Sequence, residues 1–176
     1  MKHPSPQATK QPVNSEHLVL RSLGIEDLES VLRIEAGAYS HPWTRINFLD
    51  SISSNYVLLG LFDTSESTQD PSIIGYFVAM KGVDEMHLLN LTVAQSYQRR
   101  GFAKYLLNAL RDWAVGHDLN WIWLEVRASN HAAIALYTSY GYLKSGERKN
   151  YYPLGLKGSN QREDALLMSY HITTCN

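Results

Sequence analysis

The stretch Gln98-Arg99-Arg100-Gly101-Phe102-Ala103 joins two different hydrophobic periodicities. Met86 to Val93 before it reads as a strand. After it, Phe102, Leu106, Leu107, Leu110 and Trp113 fall on one broad helical face, which predicts a helix from about Gly101 to Val115 that ends at Gly116. A strand that turns through small residues into an amphipathic helix leaves the first N–H groups and the positive dipole end of that helix free to hold an anion. Gly101 and Ala103 allow close approach to the backbone, and Arg99 and Arg100 add positive charge suited to a ligand with several phosphates. The same six residues also read as a basic helix start on a solvated face, and taken alone they do not choose between the two. They are not a dinucleotide fingerprint, because the three-glycine pattern is absent, nor a Walker loop, because no Gly-Lys-Ser/Thr follows.

Upstream, residues 1–15 hold three prolines and one branched aliphatic, so they cannot bury enough to offset their ordering entropy, and a disordered tail is expected there. A folded domain is expected over residues 16–173. It opens with a strand at His17 to Arg21 and a helix from near Glu26 that carries Leu28, Val31, Leu32 and Ile34. Pro42 breaks this helix at Tyr39-Ser40-His41-Pro42-Trp43, and Thr44 is placed to cap a second helix through about Ser51. Tyr56 to Phe62, Ile73 to Lys81 and Met86 to Val93 read as an antiparallel meander. Downstream lie a strand at Trp121 to Arg127 that reads as buried over most of its length, a helix from about Asn130 to Tyr140 stopped by Gly141, and two strands near Tyr142 to Asn150 and Ala165 to Ile172.

The 176 residues suit one domain with a sizeable core. Sixteen Lys and Arg against seventeen Asp and Glu leave no global field to draw the chain to nucleic acid or to an anionic membrane, so neither is expected as a partner. The single cysteine, Cys175, excludes an internal disulfide framework and a Cys-based zinc site. No stretch is long and apolar enough to span a bilayer and no secretion signal is evident, so a reducing, cytoplasmic setting is expected. The seven histidines lack metal spacing and there is no Gly-x-Ser-x-Gly elbow, so neither a metal nor covalent catalysis is indicated.

Glu125 stands out because a carboxylate at the end of Trp121-Ile122-Trp123-Leu124 is costly unless it is paired or used. One reading is an ion pair with Arg127. The other is a general base, its pKa raised by apolar surroundings. Tyr137, on the helix that follows, reads as packing from its residue type alone. Tyr39 and Trp43 in the broken loop, and Asn150, Tyr151 and Tyr152 in the late hairpin, read either as walls of a peptide slot or as ordinary surface and core groups. Glu85, in a turn, reads as solvated or as a contact for a substrate amine.

In order and spacing, Leu89-Asn90-Leu91-Thr92-Val93, Gln98 to Ala103, Trp123-Leu124-Glu125-Val126-Arg127-Ala128-Ser129-Asn130 and Ala135-Leu136-Tyr137-x-x-Tyr140-Gly141-Tyr142 resemble the core of the GNAT acetyltransferases. The run from Trp123 to Asn130, with Asn150-Tyr151-Tyr152-Pro153 and Arg162-Glu163-Asp164, more narrowly resembles the RimI type, the bacterial ribosomal-protein-alanine N-acetyltransferases. The resemblance implies a mixed α/β fold, with a mostly antiparallel sheet of about seven strands in which one parallel pair splays apart to admit acetyl-CoA. It implies that backbone groups of Leu91, Thr92 and Val93 hold the pantetheine arm and polarise the thioester carbonyl. Gln98, Arg99, Arg100, Gly101, Phe102 and Ala103 would then form the pyrophosphate site, and Asn130 would bond the arm near the thiol. The position of Ala103 is often Gly in related enzymes.

The resemblance also selects Glu125 as the base and turns Tyr137 from a packing residue into the acid that meets the departing sulfur. The implied reaction is direct acetyl transfer to a protein N-terminal α-amine, with a ribosomal protein as partner and N-terminal alanine as acceptor. Two rivals stay open, a GNAT enzyme acting on lysine or a small amine and a non-catalytic acyl-CoA-binding module. Retention of both Glu125 and Tyr137 argues against the second. The oligomeric state is not encoded in any of these features.

Overall fold

Alternation of period two in the strands and a broad apolar stripe on the third helix divide the apolar residues between the two faces of one sheet. The computed structural model describes residues 16–67, 69, 71–155 and 160–173, so the tail expected over residues 1–15 lies outside the described residues. The strands are β1 (Leu18–Ser22), β2 (Val57–Asp63), β3 (Ser72–Lys81), β4 (Glu85–Val93), β5 (Trp121–Arg127), β6 (Leu143–Pro153) and β7 (Arg162–His171). The helices are α1 (Leu28–Ala38), α2 (Arg45–Ser53), α3 (Phe102–Val115) and α4 (His131–Tyr140), with short 3₁₀ turns at Ile25–Asp27 and Gln95–Tyr97. They form a mixed α/β fold around a seven-stranded sheet of order β1-β2-β3-β4-β5-β7-β6, antiparallel throughout except for the parallel β4·β5 pair.

On β3, Phe77 and Ala79 join the cluster under α3 and α4, while Tyr76 and Val78 join the cluster under α1 and α2. Helix α3 contributes Phe102, Leu106, Leu107, Leu110 and Ala114 to the first cluster. Each of these Phe and Leu side chains is worth about 1.5–3 kcal/mol when fully buried. Thr44 caps α2 by sharing the side-chain oxygen of Asn47, which accepts from both its N–H and its hydroxyl at 2.8 Å.

Helix α3 ends where expected, with Gly116 as its C-cap in the right-handed conformation (φ −64°), and the backbone turns positive two residues later, at Asp118 (φ 57°). Gly141 does take the left-handed conformation expected after α4 (φ 113°). Strand β5 is not buried on both sides: Ile122, Leu124 and Val126 are buried, whereas Trp121, Trp123, Glu125 and Arg127 share a half-exposed face. Helices α1 and α2 pack over β2 to β4 on that side and leave the β5 portion partly open.

The feature that positions the site is the junction of β4 and β5. They are in register only from Glu85↔Trp121 to Leu88↔Leu124, after which they part. Strand β4 carries an extra residue at this point, because β3 pairs Ala79 with Leu88 but Val78 with Asn90. A bulge of this kind bends its strand and ends regular pairing. Leu89 to Val93 on one side and Glu125 to Arg127 on the other therefore border an opening in the middle of the sheet.

Candidate active site

The anion end of the opening is built by backbone conformation. Arg99 (φ 63°) and Gly101 (φ 95°) both sit in the left-handed region, and a turn of this type gathers successive N–H groups into a concavity suited to an anion. Gly101 precedes α3 and offers no side-chain cap. The N–H groups of Arg99 through Lys104 find no acceptor among the described residues. Arg100 lies over the rings of Tyr97 and Phe102, 5.3 and 5.6 Å from their centroids, and neither Arg99 nor Arg100 makes an ion pair among the described residues. Gln98 does not face outward as a ligand: its Nε2 donates to the Val93 carbonyl at 3.0 Å and ties the turn to the end of β4. The Leu91 carbonyl is likewise engaged, accepting from the Tyr39 hydroxyl at 3.2 Å.

Across the opening, Asn130 caps α4 through its Oδ1, which accepts from the Ala133 N–H at 3.1 Å. Its side-chain NH₂ makes no hydrogen bond among the described residues and is the donor of that side chain left to meet a ligand. Tyr137 is 8% exposed and its hydroxyl has no hydrogen bond among the described residues. Burial first, then the nearby Tyr39 and Tyr152, hold its phenol well above the ordinary range, so it stays protonated and able to donate.

Glu125 enters from the other face. Its side chain is 27% exposed and pairs with Arg148 Nε at 2.9 Å. The apolar surroundings expected for it are absent, and so is the pairing with Arg127, whose guanidinium goes instead to Glu163 at 2.7 Å and to the Pro153 carbonyl at 2.9 Å. Tyr151 faces the Glu125 carboxylate, and that hydrogen bond is the main cause of its raised pKa. Tyr152 donates to the Glu125 backbone carbonyl at 3.3 Å and is pushed up to about 12, by burial and then by Glu125. Asn150 takes a left-handed conformation (φ 52°) and donates its N–H to Asp164 at 2.9 Å, which fixes the bend that carries Tyr151 and Tyr152. Glu85 is neither solvated alone nor near Glu125's end of the strand: it begins β4 and pairs with His87 at 2.8 Å.

One residue not among the candidates read from the sequence anchors the loop of Tyr39 and Trp43 beside the opening. Glu35, on α1, is 1% exposed. Its carboxylate accepts from the Trp43 N–H at 2.9 Å, Asn90 Nδ2 at 3.2 Å, Thr92 Oγ1 at 3.3 Å and the Tyr76 hydroxyl. Thr92 is in turn 3.0 Å from the Tyr39 hydroxyl. Glu35 therefore ties the loop of Tyr39 and Trp43 to the bulged end of β4. The Trp43 ring itself packs on Phe48 at 5.4 Å and belongs to the second core, so it supports the loop from beneath. The signal in the sequence was its spacing: Leu28, Val31 and Glu35 recur at i, i+3 and i+7, which places the carboxylate on the buried face of α1.

The match to the Acetyltransferase (GNAT) family covers residues 28–142, from the start of α1 past the end of α4. The chain belongs to the GNAT acetyltransferase family. It is 35% identical over 154 residues to the [ribosomal protein bS18]-alanine N-acetyltransferase of Escherichia coli strain K12, covering 88% of this chain and 97% of that one. The crystal structure of the ribosomal-protein-S18-alanine N-acetyltransferase from Escherichia coli superposes with a TM-score of 0.77 at 34% identity, covering 90% of this chain and 96% of that one. Arabidopsis thaliana NAA60, solved in complex with acetyl-CoA, shares the fold, with a TM-score of 0.75 at 22% identity over 88% of this chain and 99% of its own.

This GNAT enzyme uses acetyl-CoA as its acetyl donor, and the residues present fit that group. The uncapped N–H groups before α3 and the two unpaired arginines suit a pyrophosphate, and the parted β4 and β5 leave a passage for a slender arm. Among the described residues no group of His, Cys, Asp and Glu is arranged to hold a metal, and no helix is long and apolar enough to cross a membrane.

Proposed function

We propose that this enzyme transfers acetyl from acetyl-CoA directly to the N-terminal α-amine of a protein, and that its acceptor is a ribosomal protein beginning with alanine. The substrates of its relatives support the choice of acceptor. The observation that supports the chemistry is that Glu125 stands on β5 one residue past the last β4·β5 pair, while the buried Tyr137 phenol feels both Tyr39 and Tyr152, and Tyr152 donates to the Glu125 backbone carbonyl.

The donor supplies an activated thioester. An α-amine has a pKa of about 8, so it arrives mostly as an ammonium and must lose a proton before its nitrogen can attack. Glu125, half-exposed and on the acceptor face, accepts that proton directly or through one water. The N–H bond breaks, its electron pair stays on nitrogen, and this pair forms the new bond to the acyl carbon as the C–S bond breaks. Tyr137, kept protonated by burial, donates its proton to the sulfur that leaves; the acylated nitrogen sheds its second proton to solvent, and solvent returns one to Tyr137. Leu91 to Val93 and the Asn130 amide hold the arm, and the turn from Arg99 to Ala103, braced by Gln98, holds the pyrophosphate. Tyr39, Asn150 and Tyr151 line the acceptor entrance.

Two measurements bear on this reading. Incubation with acetyl-CoA should add one acetyl group, seen by mass spectrometry, to a peptide with a free N-terminal alanine and none to the same peptide with a blocked terminus and a free lysine. Modification of the lysine peptide alone would sink the N-terminal assignment. Separately, Arg99→Glu or Arg100→Glu should weaken acetyl-CoA binding by about tenfold or more, since each charge-assisted contact to phosphate is worth about 1.5–3 kcal/mol. Calorimetric affinities equal to the unaltered protein's would remove these residues from the site.

A further inference from the structure

Strand β6 carries a row of charged side chains, and all but one of its cations are held by acids outside the site. Lys149 is shared by Glu147 at 2.9 Å and Asp164 at 2.8 Å, and Lys144 pairs with Glu147. Arg148 is the exception. Its ion pair among the described residues is with Glu125, reached across the intervening strand β7, and its guanidinium lies 5.3 Å from the centroid of the Tyr151 ring. The Arg148 side chain is 54% exposed, so it can swing into solvent at little cost, whereas the two residues that follow it are tied to Asp164, Lys149 by its Nζ and Asn150 by its N–H.

We propose that Arg148 is a displaceable counter-ion for Glu125, occupying in the free enzyme the place that the acceptor's α-ammonium takes when it binds. This inference rests on the assignment of Glu125 as base. A carboxylate that must wait in a half-open site is aimed by a cation, and exchanging one cation for another at that carboxylate avoids leaving its charge without an ionic partner when the acceptor arrives. A terminus that is already acetylated carries no charge and cannot make the exchange. Once Arg148 has moved aside, it no longer opposes the next event, in which the ammonium N–H bond breaks, the electron pair stays on nitrogen and the proton forms an O–H bond on Glu125. Arg148 is thus a positioning residue that acts through Glu125, and it favours charged, unblocked N-termini.

The test is steady-state kinetics of the full chain with acetyl-CoA and a free N-terminal alanine peptide, comparing Arg148→Ala, Arg148→Lys and the same changes in a Glu125→Gln background. Removal of the competing cation should lower KM for the peptide about three- to tenfold in Arg148→Ala, leave KM for acetyl-CoA unchanged, and be reversed in Arg148→Lys. Peptide affinity of the Glu125→Gln protein, read by calorimetry in the presence of CoA, should be insensitive to Arg148→Ala. A peptide KM that is unchanged or higher in Arg148→Ala overturns the counter-ion role, as does an equal effect of Arg148→Ala in the Glu125→Gln background. Full turnover by Glu125→Gln alone would instead overturn the base assignment, so the two failures are told apart.

Discussion

Glu125→Gln is expected to bind acetyl-CoA normally and to turn over about 10²–10⁴-fold more slowly, the usual contribution of a positioned general base. That range equals about 2.7–5.4 kcal/mol of barrier. The substitution keeps the shape of the side chain and removes the proton acceptor. Since Glu125 is half-exposed and its carboxylate meets Arg148 rather than a buried donor, folding should be preserved. Tyr137→Phe, measured alongside, keeps the ring in its cluster and deletes only the donor to sulfur. Single-turnover rates with saturating acetyl-CoA make the measurement. Undiminished turnover would withdraw the catalytic role of whichever residue was changed.

The second large effect is structural and centres on Glu35. Glu35→Ala leaves the Trp43 N–H, the Asn90 amide and the hydroxyls of Tyr76 and Thr92 without their shared acceptor in a buried setting. Each buried group deprived of its partner costs about 1–3 kcal/mol. With part of that recovered by local rearrangement, a loss of about 3–5 kcal/mol is expected. For a chain of this size each kcal/mol moves the midpoint about 2–4 °C, so thermal melting should begin about 6–20 °C lower. Glu35→Gln retains the shape and one acceptor oxygen and should fall between the two. A melting curve within a degree or two of the unaltered protein would show that the network contributes little.

Much of the framework could be read from local pattern. Strand β5 occupies the residues its apolar run marked, Trp121 to Arg127, and the hexapeptide leads into α3 as an uncapped helix start, as its pattern suggested. Periodicity and turn chemistry act over a few residues, so they leave their mark in a short window. The parallel pair and the parting of β4 from β5 followed from family resemblance, because no local pattern encodes which strands meet across α3.

What stayed illegible depends on distant pairing. Arg127 looked like the natural partner for Glu125, two residues away on the same face of one strand. The sheet order β5-β7-β6 instead brings Glu163 of β7 beside Arg127 and carries Arg148 across β7 to Glu125. Glu35 escaped notice for a different reason. It was close to apolar neighbours that satisfy the helical stripe, and the groups that solvate it come from α1's own loop, β3 and β4, between 8 and 57 positions away.

The parting of β4 and β5 also governs traffic. A continuous sheet is a wall: a group on the α4 side and a group on the α1 side of it could never touch the same atom. The short zipper of four residue pairs turns that wall into a two-sided doorway. On the direct transfer proposed above, donor and acceptor would come in from opposite directions and stand face to face without either having to leave first. The chain would then have no need to carry the acyl group on one of its own side chains in between, and the cost of the missing backbone pairs would be confined to the spot where the two visitors meet.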